Sequence, residues 1–300
     1  MSAAVGADPA RTARGSIFLD DAAEVLGQSE FPGRQYIIRI RSPRCAAAAV
    51  PGSFAHIRCS ESLPMRRPLS IMRADPARGT LEILYKVHGA GLAQLAARRA
   101  GDTLSLLGPI GNGFTPSPER GHALLIGGGV GIPPLVFLAE RLRASAGRAI
   151  AFFGSELPFP FRARPSTLIV PGIPPGVIAT LPLLEDWGAP CRLASFAGFP
   201  GCFEGYVTDL AAHYLDALDP GARREVEIFA CGPTVMLAAV ARLARRFELP
   251  AQVSLEEYMA CAVGGCAGCA VRVQGPAGPA MKRVCVDGPV FEAAQVFSRS

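Results

Sequence analysis

HALLIGGGVGIPPLVFLAERLRA, residues 122–144, reads as three elements in immediate succession. Residues 122–126 are a short apolar run of strand type, 127–131 a glycine loop, and 133–144 show helical spacing with proline inside the first turn. Glycines lacking Cβ let a pyrophosphate lie against the main chain, and the following helix N-terminus adds free N–H groups and the positive end of its dipole. Strand, glycine loop and helix in this order form the context of a dinucleotide site, with Gly127, Gly128, Gly129 and Gly131 as its candidate residues. The loop departs from strict G-x-G-x-x-G, and by itself a tight turn between two core elements reads the same way.

Downstream the same alternation continues. A second strand is predicted over 149–153, and EVEIFA, 225–230, precedes Cys231-Gly232-Pro233 and an apolar helix over 234–247. Strands alternating with helices predict a parallel, doubly wound sheet, which places Cys231, Gly232 and Pro233 at its carboxyl edge, where such folds bind ligands. A buried cysteine before a turn fits the same residues. After the second strand, FFGSEL carries Glu156 where a ribose diol could be bonded and no immediate arginine for a 2′-phosphate, which favours NAD over NADP, although Arg162 and Arg164 follow closely.

Upstream the period is two. QYIIRIRS, SFAHIRC, GTLEILYKV and DTLSLLG, between residues 34 and 108, are alternating runs separated by turns and predict an antiparallel sheet or barrel. Arg67-Pro68-Leu69-Ser70 lies among them. An arginine fork with a nearby hydroxyl can bind phosphate, whereas a lone arginine on an exposed strand is the plainer reading. GPIGNGFTPSPERG, 108–121, breaks the pattern and marks a boundary.

Past Pro250 the chain reads C-x4-C-x2-C-x15-C through Cys261, Cys266, Cys269 and Cys285. Three thiolates on one tight loop with a distant fourth is plant-type iron-sulfur spacing. A four-thiolate zinc site usually shows two C-x2-C pairs, and only Cys266 and Cys269 make one here. Gly264, Gly265 and Gly268 allow the backbone to approach the cluster and aim N–H groups at its sulfurs. The spacing therefore favours a [2Fe-2S] centre, which passes single electrons and implies redox partners.

Composition sets the frame. Three hundred residues suggest about two domains, and half of them are hydrophobic with 18% charged, which excludes a disordered chain. The net charge of +5 is spread without a basic patch, giving no sign of nucleic acid. No run of about 18 apolar residues predicts a membrane span, and the first twenty residues lack the apolar core of an export signal, so a cytoplasmic protein with reduced thiols is expected. His56, His88, His122 and His213 show no metal spacing and read as surface or core residues, Trp187 and the stripe Leu135, Leu138, Leu142 as core, and Glu256 and Glu257 either cap the approach to the cysteine loop or, the favoured reading, are solvated.

Taken together, RRPLSI, ILYKVHGAGL, GPIGNGF, GGGVGIPP, CGP, SLEEYMACAVGGCAGCAV and CVDGPVF resemble the electron-transfer subunits of NAD-dependent dihydroorotate dehydrogenases of class 1B, in the ferredoxin-reductase-like superfamily. The resemblance spans about residues 34–291 in order. It implies a multidomain α+β chain: a flexible N-terminus over 1–20, an antiparallel FAD-binding β-barrel over 21–118, a Rossmann-like α/β NAD-binding domain over 119–249, and a small [2Fe-2S] domain over 250–300. Carried onto this sequence, it implies that Arg67, Pro68, Leu69 and Ser70 meet the flavin phosphates, followed by Leu84, Tyr85 and Lys86 on the next flavin strand and by Gly91 and Leu92. Leu92 stands where the family usually has threonine, which removes a hydroxyl but leaves backbone N–H groups, and Lys86 where arginine is common. The resemblance further implies a partner: a catalytic subunit with FMN that oxidises dihydroorotate to orotate, in a heterotetramer of two of each. Single electrons would cross the cluster, FAD would collect two, and a hydride would leave to NAD+, in pyrimidine biosynthesis. No side chain is assigned a catalytic role, and Cys231 would line the nicotinamide site. The same cofactor set could serve another NAD(P)H:ferredoxin-type or hydrogenase-linked partner.

Overall fold

The computed structural model describes residues 16–145 and 147–298. Its first half is a seven-stranded antiparallel sheet built from β1 (Phe18–Phe31), β2 (Gln35–Arg41), β3 (Phe54–Arg58), β4 (Arg67–Ser70), β5 (Arg73–Asp75), β6 (Thr80–Lys86) and β7 (Thr103–Ile110). The strands lie in the order β4-β3-β7-β1-β2-β6-β5. β4 and β5 are the two outer strands, yet only Ile71 and Met72 join them. Two residues span at most about 10 Å, so the sheet has to roll until its edges meet. The expected barrel follows from that connection. Its interior is filled by the inward residues of alternating strands, among them Val25, Ile38, Ile40, Ile57, Leu81 and Ile83. α1 (Pro43–Ala48) and α2 (Gly89–Ala96) fill the connections.

The segment 1–20 was expected to be a loose N-terminus. Residues 1–15 lie outside the described residues, and the end of that segment is strand: Phe18, Leu19 and Asp20 pair with Gly108, Leu107 and Leu106 of β7. Backbone pairing fixes them although Leu19 itself is exposed.

The second half is a six-stranded sheet of β8 (His122–Gly128), β9 (Arg148–Gly154), β12 (Cys191–Ala194), β13 (Val226–Cys231), β14 (Ala251–Ser254) and β17 (Val290–Glu292), in the order β12-β9-β8-β13-β14-β17. All pairs are parallel except β14 with β17. Between β9 and β12 runs a small ladder of β10 (Arg164–Pro165) and β11 (Ala179–Thr180), then α4 (Pro182–Asp186). The sheet is flanked by α3 (Ile132–Ala144), α5 (Val207–Ala217), α6 (Pro220–Arg224) and α7 (Thr234–Phe247). α7 carries its apolar residues Leu237, Val240, Ala241 and Ala244 inward at helical spacing and leaves arginines outside. Its extent matches the sequence prediction residue for residue.

The boundary drawn at residue 250 does not follow the sheet. β14 and β17 both come from the segment 250–300 and extend the α/β sheet, so only the hairpin of β15 (Ala270–Gly275) and β16 (Gly278–Arg283) forms a sheet of its own. α8 (Ala293–Val296) closes the chain against it.

α3 departs from a simple amphipathic stripe. Every residue from Ile132 to Ala139 is buried, because Leu135 and Leu138 face the α/β core while Phe137 reaches the barrel core. A helix covered on both sides has no solvent face to spend on polar residues. The same helix is clamped to the barrel by Arg73, whose Nε and Nη2 lie 3.0 and 2.7 Å from the Glu140 carboxylate. Among the described residues no helix is long and apolar enough to cross a membrane.

Candidate functional site

The first corner of the site joins β4 to α2. Arg67 turns Nη1 back onto the carbonyls of Met65 and Arg66, at 2.9 and 3.1 Å. That leaves Nε and Nη2 directed at Gly91, where a Cβ would lie 2.9 Å from each. Gly91 is in the first turn of α2, whose N-terminal end carries no side-chain cap, so its free N–H groups and the guanidinium share one pocket of positive potential. Two segments separated by about twenty residues thus place a guanidinium beside a free helix N-terminus, an arrangement able to hold a phosphate. Leu92 occupies the next position and packs its side chain against the barrel core. Backbone donors, rather than the missing hydroxyl, are what α2 offers.

β6 divides its side chains between two faces. Leu84 packs into the α/β core, toward the 3-10 turn Gly129–Gly131. Tyr85 faces the other way: it is buried in the barrel, stacks on Tyr36 at 5.6 Å between ring centroids, and donates its hydroxyl to Gln28 at 2.8 Å. Burial pushes its pKa up. Its side chain is committed to the barrel, so the period-two alternation leaves only its backbone for a cofactor. Lys86 is exposed at the strand end.

The second corner is where β8 and β13 end side by side. Gly127 stands opposite Cys231 and Cys231 opposite Ser254 across three neighbouring strands. The glycine loop is packed tightly at two of its positions and against Gly232: a Cβ on Gly131 would overlap the carbonyl of Cys231, one on Gly128 would lie 2.6 Å from Met236 Sδ, and one on Gly232 at 2.6 Å from Met236 Cε. Glycine is thereby required at Gly131 by contact between the two loops. α3 begins at once, uncapped by a side chain and with proline in its first turn, presenting its N-terminus at the sheet edge. The Cys231 thiol is fully buried, and burial, reinforced by the charge of Glu256 and only partly offset by Ser254 and the Gly232 backbone, raises its pKa. It is a neutral thiol and no nucleophile.

Glu256 was read from sequence as solvated. Its surface does reach solvent, yet its carboxyl lies close enough to Cys231 to be felt there, and burial of the carboxyl raises its own pKa. Glu156 and Arg162 are exposed after β9, while Arg164 forms an ion pair with Asp186.

The third corner is the cysteine loop. Its four thiols fall into two pairs. Cys269 Sγ lies 3.3 Å from Cys285 Sγ. Cys261 Sγ accepts the backbone N–H of Cys266 at 3.3 Å and interacts with the Cys266 thiol, while Cys266 Sγ accepts the N–H of Gly268 at 3.4 Å. Burial opposes ionisation of Cys261, but the N–H groups of Cys266, Val263 and Gly265 outweigh it and draw the thiol down to about 6. Burial, with Cys269 beside it, pushes Cys285 up to about 12. Ala262 and Ala267 hold φ of 56° and 53°, a left-handed conformation that costs an L-residue on the order of 1 kcal/mol. These two turns aim the N–H groups inward. Among the described residues no three His, Cys, Asp or Glu side chains converge as ligands of a single metal ion would. Cys261, Cys266, Cys269 and Cys285 would hold an iron-sulfur cluster, whose chemistry N–H groups on the sulfurs, such as those on Cys261 and Cys266, would tune.

This loop is tied to the barrel by a residue that sequence reading did not single out. Asn112, just after β7, donates Nδ2 to the carbonyls of Val286 and Asp287 at 3.2 and 3.1 Å, and its backbone N–H donates to the Gly288 carbonyl at 2.6 Å. Gly111 is pressed against Pro289 with no room for a Cβ. The partners are some 175 residues apart in the chain, so no local signal announces them.

Comparison with known proteins follows this geometry. A family model for the iron-sulfur cluster binding domain of dihydroorotate dehydrogenase B matches residues 256–297. The dihydroorotate dehydrogenase B (NAD(+)) electron transfer subunit of Desulforamulus reducens is 31% identical over 276 residues, covering 91% of this chain and 97% of that one. The subunit of the same name from Bacillus cereus is 33% identical over 277 residues, covering 91% and 96%. Among solved structures, an NADH-dependent reduced ferredoxin-NADP oxidoreductase studied for flavin-based electron bifurcation superposes with a TM-score of 0.73 at 28% identity, covering 92% of this chain and 89% of that one. The ferredoxin reductase of carbazole 1,9a-dioxygenase shares the fold, with a TM-score of 0.58 at 22% identity over 78% and 67% of the two chains. Barrel, α/β sheet and cysteine loop are matched together and nearly end to end, and the chain belongs to the family of electron transfer subunits of NAD-dependent dihydroorotate dehydrogenase B.

Proposed function

We propose that this chain conducts electrons from an FMN-bearing catalytic subunit that oxidises dihydroorotate to NAD+, in the cytoplasm, as a step of pyrimidine biosynthesis and within a heterotetramer of two of each subunit. Cys261, Cys266, Cys269 and Cys285 would hold a [2Fe-2S] cluster, and Arg67 to Ser70, with Leu84 to Lys86 and the start of α2 at Gly91 and Leu92, would hold FAD. Gly127 to Gly131 and Cys231 to Pro233 would receive NAD. When bound, the cluster supplies one-electron transfer and the flavin supplies the exchange between single electrons and the hydride carried by NAD.

The observation that carries this reading is the grip of Asn112 on residues 286–288, which fixes the segment of the fourth cysteine to the flavin barrel. The chain's own work is then positional. Arg67 and the α2 N-terminus would neutralise and orient phosphate, the glycines would let a second nucleotide approach the backbone, and the neutral thiol of Cys231, buried at the end of β13, would back the nicotinamide site from within the core. Cys266 and Tyr258 are exposed on the cysteine loop, where a partner could approach the cluster.

An absorption spectrum of the anaerobically purified protein, before and after NADH, tests the reading. Flavin and iron-sulfur bands that both bleach are expected, and a colourless protein holding zinc overturns it. The likeness to the NADH-dependent ferredoxin-NADP oxidoreductase favours one other reading, the same cofactors serving a different redox partner. Copurification decides between them: an FMN protein active on dihydroorotate supports the first, a ferredoxin or another large oxidoreductase subunit the second.

A further inference from the structure

His56 is the most deeply buried histidine of the chain, with no accessible surface. Both of its ring nitrogens are buried and lack a hydrogen-bond partner. Among the described residues only Thr180 and Arg192 also leave a buried side-chain nitrogen or oxygen unpartnered. A buried donor left unpaired costs about 1–3 kcal/mol, so a ring kept at this place needs a reason.

Its surroundings supply one. His56 lies in β3, opposite Pro68 of β4, in the middle of the Arg67 to Ser70 segment. Pro68 has no N–H to give to the ladder, and the guanidinium of Arg66 takes over, donating to the His56 carbonyl at 3.3 Å and to Ser105 at 2.8 and 2.7 Å. Two main-chain segments lie near the ring, that of Arg66 just before β4 and that of Met259, two residues before Cys261, and neither is within hydrogen-bonding geometry of a ring nitrogen. Met259 is buried in the same core as Phe54 of β3 and as Cys269 and Cys285. The imidazole thus stands between the strand assigned to the flavin and the loop assigned to the cluster. Burial, with Arg66 and Arg67 beside it, keeps it neutral, with a pKa lowered to about 4. A neutral imidazole has one N–H to give.

Resting on the function proposed above, we propose that His56 is a positioning residue for electron exchange between flavin and cluster: with both cofactors in place, its ring N–H donates to the main-chain carbonyl of Met259 and fixes the start of the cysteine loop against the flavin strand. Electron transfer depends steeply on the separation of the two groups, so a loop released at Met259 slows that step and leaves NADH oxidation by the flavin untouched.

The experiment compares the full chain, carrying its cofactors, with His56→Phe, which keeps a ring without nitrogens, and His56→Gln, which keeps a donor. Flavin and iron content are measured first, then the separate bleaching of flavin and cluster by NADH in stopped flow, the electron paramagnetic resonance of the reduced cluster, and hydrogen exchange of residues 255–262. Expected in His56→Phe are wild-type cofactor content and flavin bleaching, cluster bleaching slowed about 10- to 100-fold, an altered resonance and faster exchange of the loop, with His56→Gln restoring most of each. Unchanged cluster bleaching and exchange in His56→Phe overturn the inference, as does a His56→Gln variant as slow as His56→Phe, since that would make shape the cause. If His56→Phe fails to load, His56→Gln decides: a wild-type resonance and loop exchange support the role, and a loosened loop refutes it. Wild-type protein without flavin or iron overturns the proposed function instead, and loop exchange in the two variants then decides alone whether His56 holds Met259.

Discussion

Gly91 lies so close to Arg67 that a single methyl group on it would stand 2.9 Å from the guanidinium Nε and Nη2. The contact links a barrel strand to a helix N-terminus and brings together two groups that each attract an anion weakly. Neither element would hold a pyrophosphate well alone, since a surface arginine is screened and an eight-residue helix has a modest dipole.

Gly91→Ala is therefore expected to displace the guanidinium and lower flavin affinity about tenfold, and Arg67→Ala to lower it more, about 10- to 100-fold, the worth of a charge-assisted hydrogen bond. Arg67→Lys restores charge without the fork and should recover only part. Equilibrium flavin binding by fluorescence checks all three; unaltered affinity in Arg67→Ala would remove this corner from the flavin site.

Asn112→Ala removes two hydrogen bonds to carbonyls of the segment following Cys285. A loss of stability of about 1–3 kcal/mol is expected, concentrated at the cysteine loop. Iron should be released faster to a chelator while flavin content stays at the wild-type level, measured by iron and flavin analysis over time.

His56 gives the fold a defined pH response. Its pKa falls from 6.5 to about 4 because burial and the neighbouring Arg66 and Arg67 disfavour the cation. The unfolded chain takes up a proton near 6.5, whereas the folded one does so only near 4, so between these values the unfolded state binds more protons. Stability is then lost as pH falls through that window, by on the order of 3 kcal/mol. Urea midpoints between pH 7.5 and 4 should show the loss, and His56→Phe should flatten it.

Thiol reactivity should sort with environment. In cluster-free protein Cys261, drawn down to about 6, is expected to alkylate first, with half-maximal rate near pH 6, while Cys231 and Cys285, both raised, stay unreacted at pH 8. Peptide mass mapping after brief iodoacetamide treatment reads this directly. Early modification of Cys231 would place its thiol at the surface, against its burial in the core.

Arg73 and Glu140 join the barrel to α3 through two N–H groups on one carboxylate oxygen, and Arg73 also meets Glu82. A double-mutant cycle of Arg73→Ala and Glu140→Ala should return a coupling of about 1 kcal/mol, modest because both groups keep solvent contact. A coupling near zero would assign the junction to Phe137 and its apolar neighbours alone.

What the sequence determined by itself is everything written in local period and spacing. Alternation at period two produced the barrel strands, the strand, glycine loop and helix produced the parallel sheet, and C-x4-C-x2-C with a distant fourth cysteine marked the cysteine loop, because each is fixed by residues within a few turns of chain. The tertiary structure decided what depends on partners far apart in sequence. It rolled the sheet so that β4 and β5 meet, carried β14 and β17 into the α/β sheet, turned Tyr85 into the barrel while Leu84 faces α3, buried α3 on both sides, brought Glu256 to Cys231, set Asn112 on Val286 and Asp287, and placed His56 beside Met259. Such contacts arise only when whole sheets pack, since a side chain's neighbours across a core are chosen by shape and burial and not by its place in the chain.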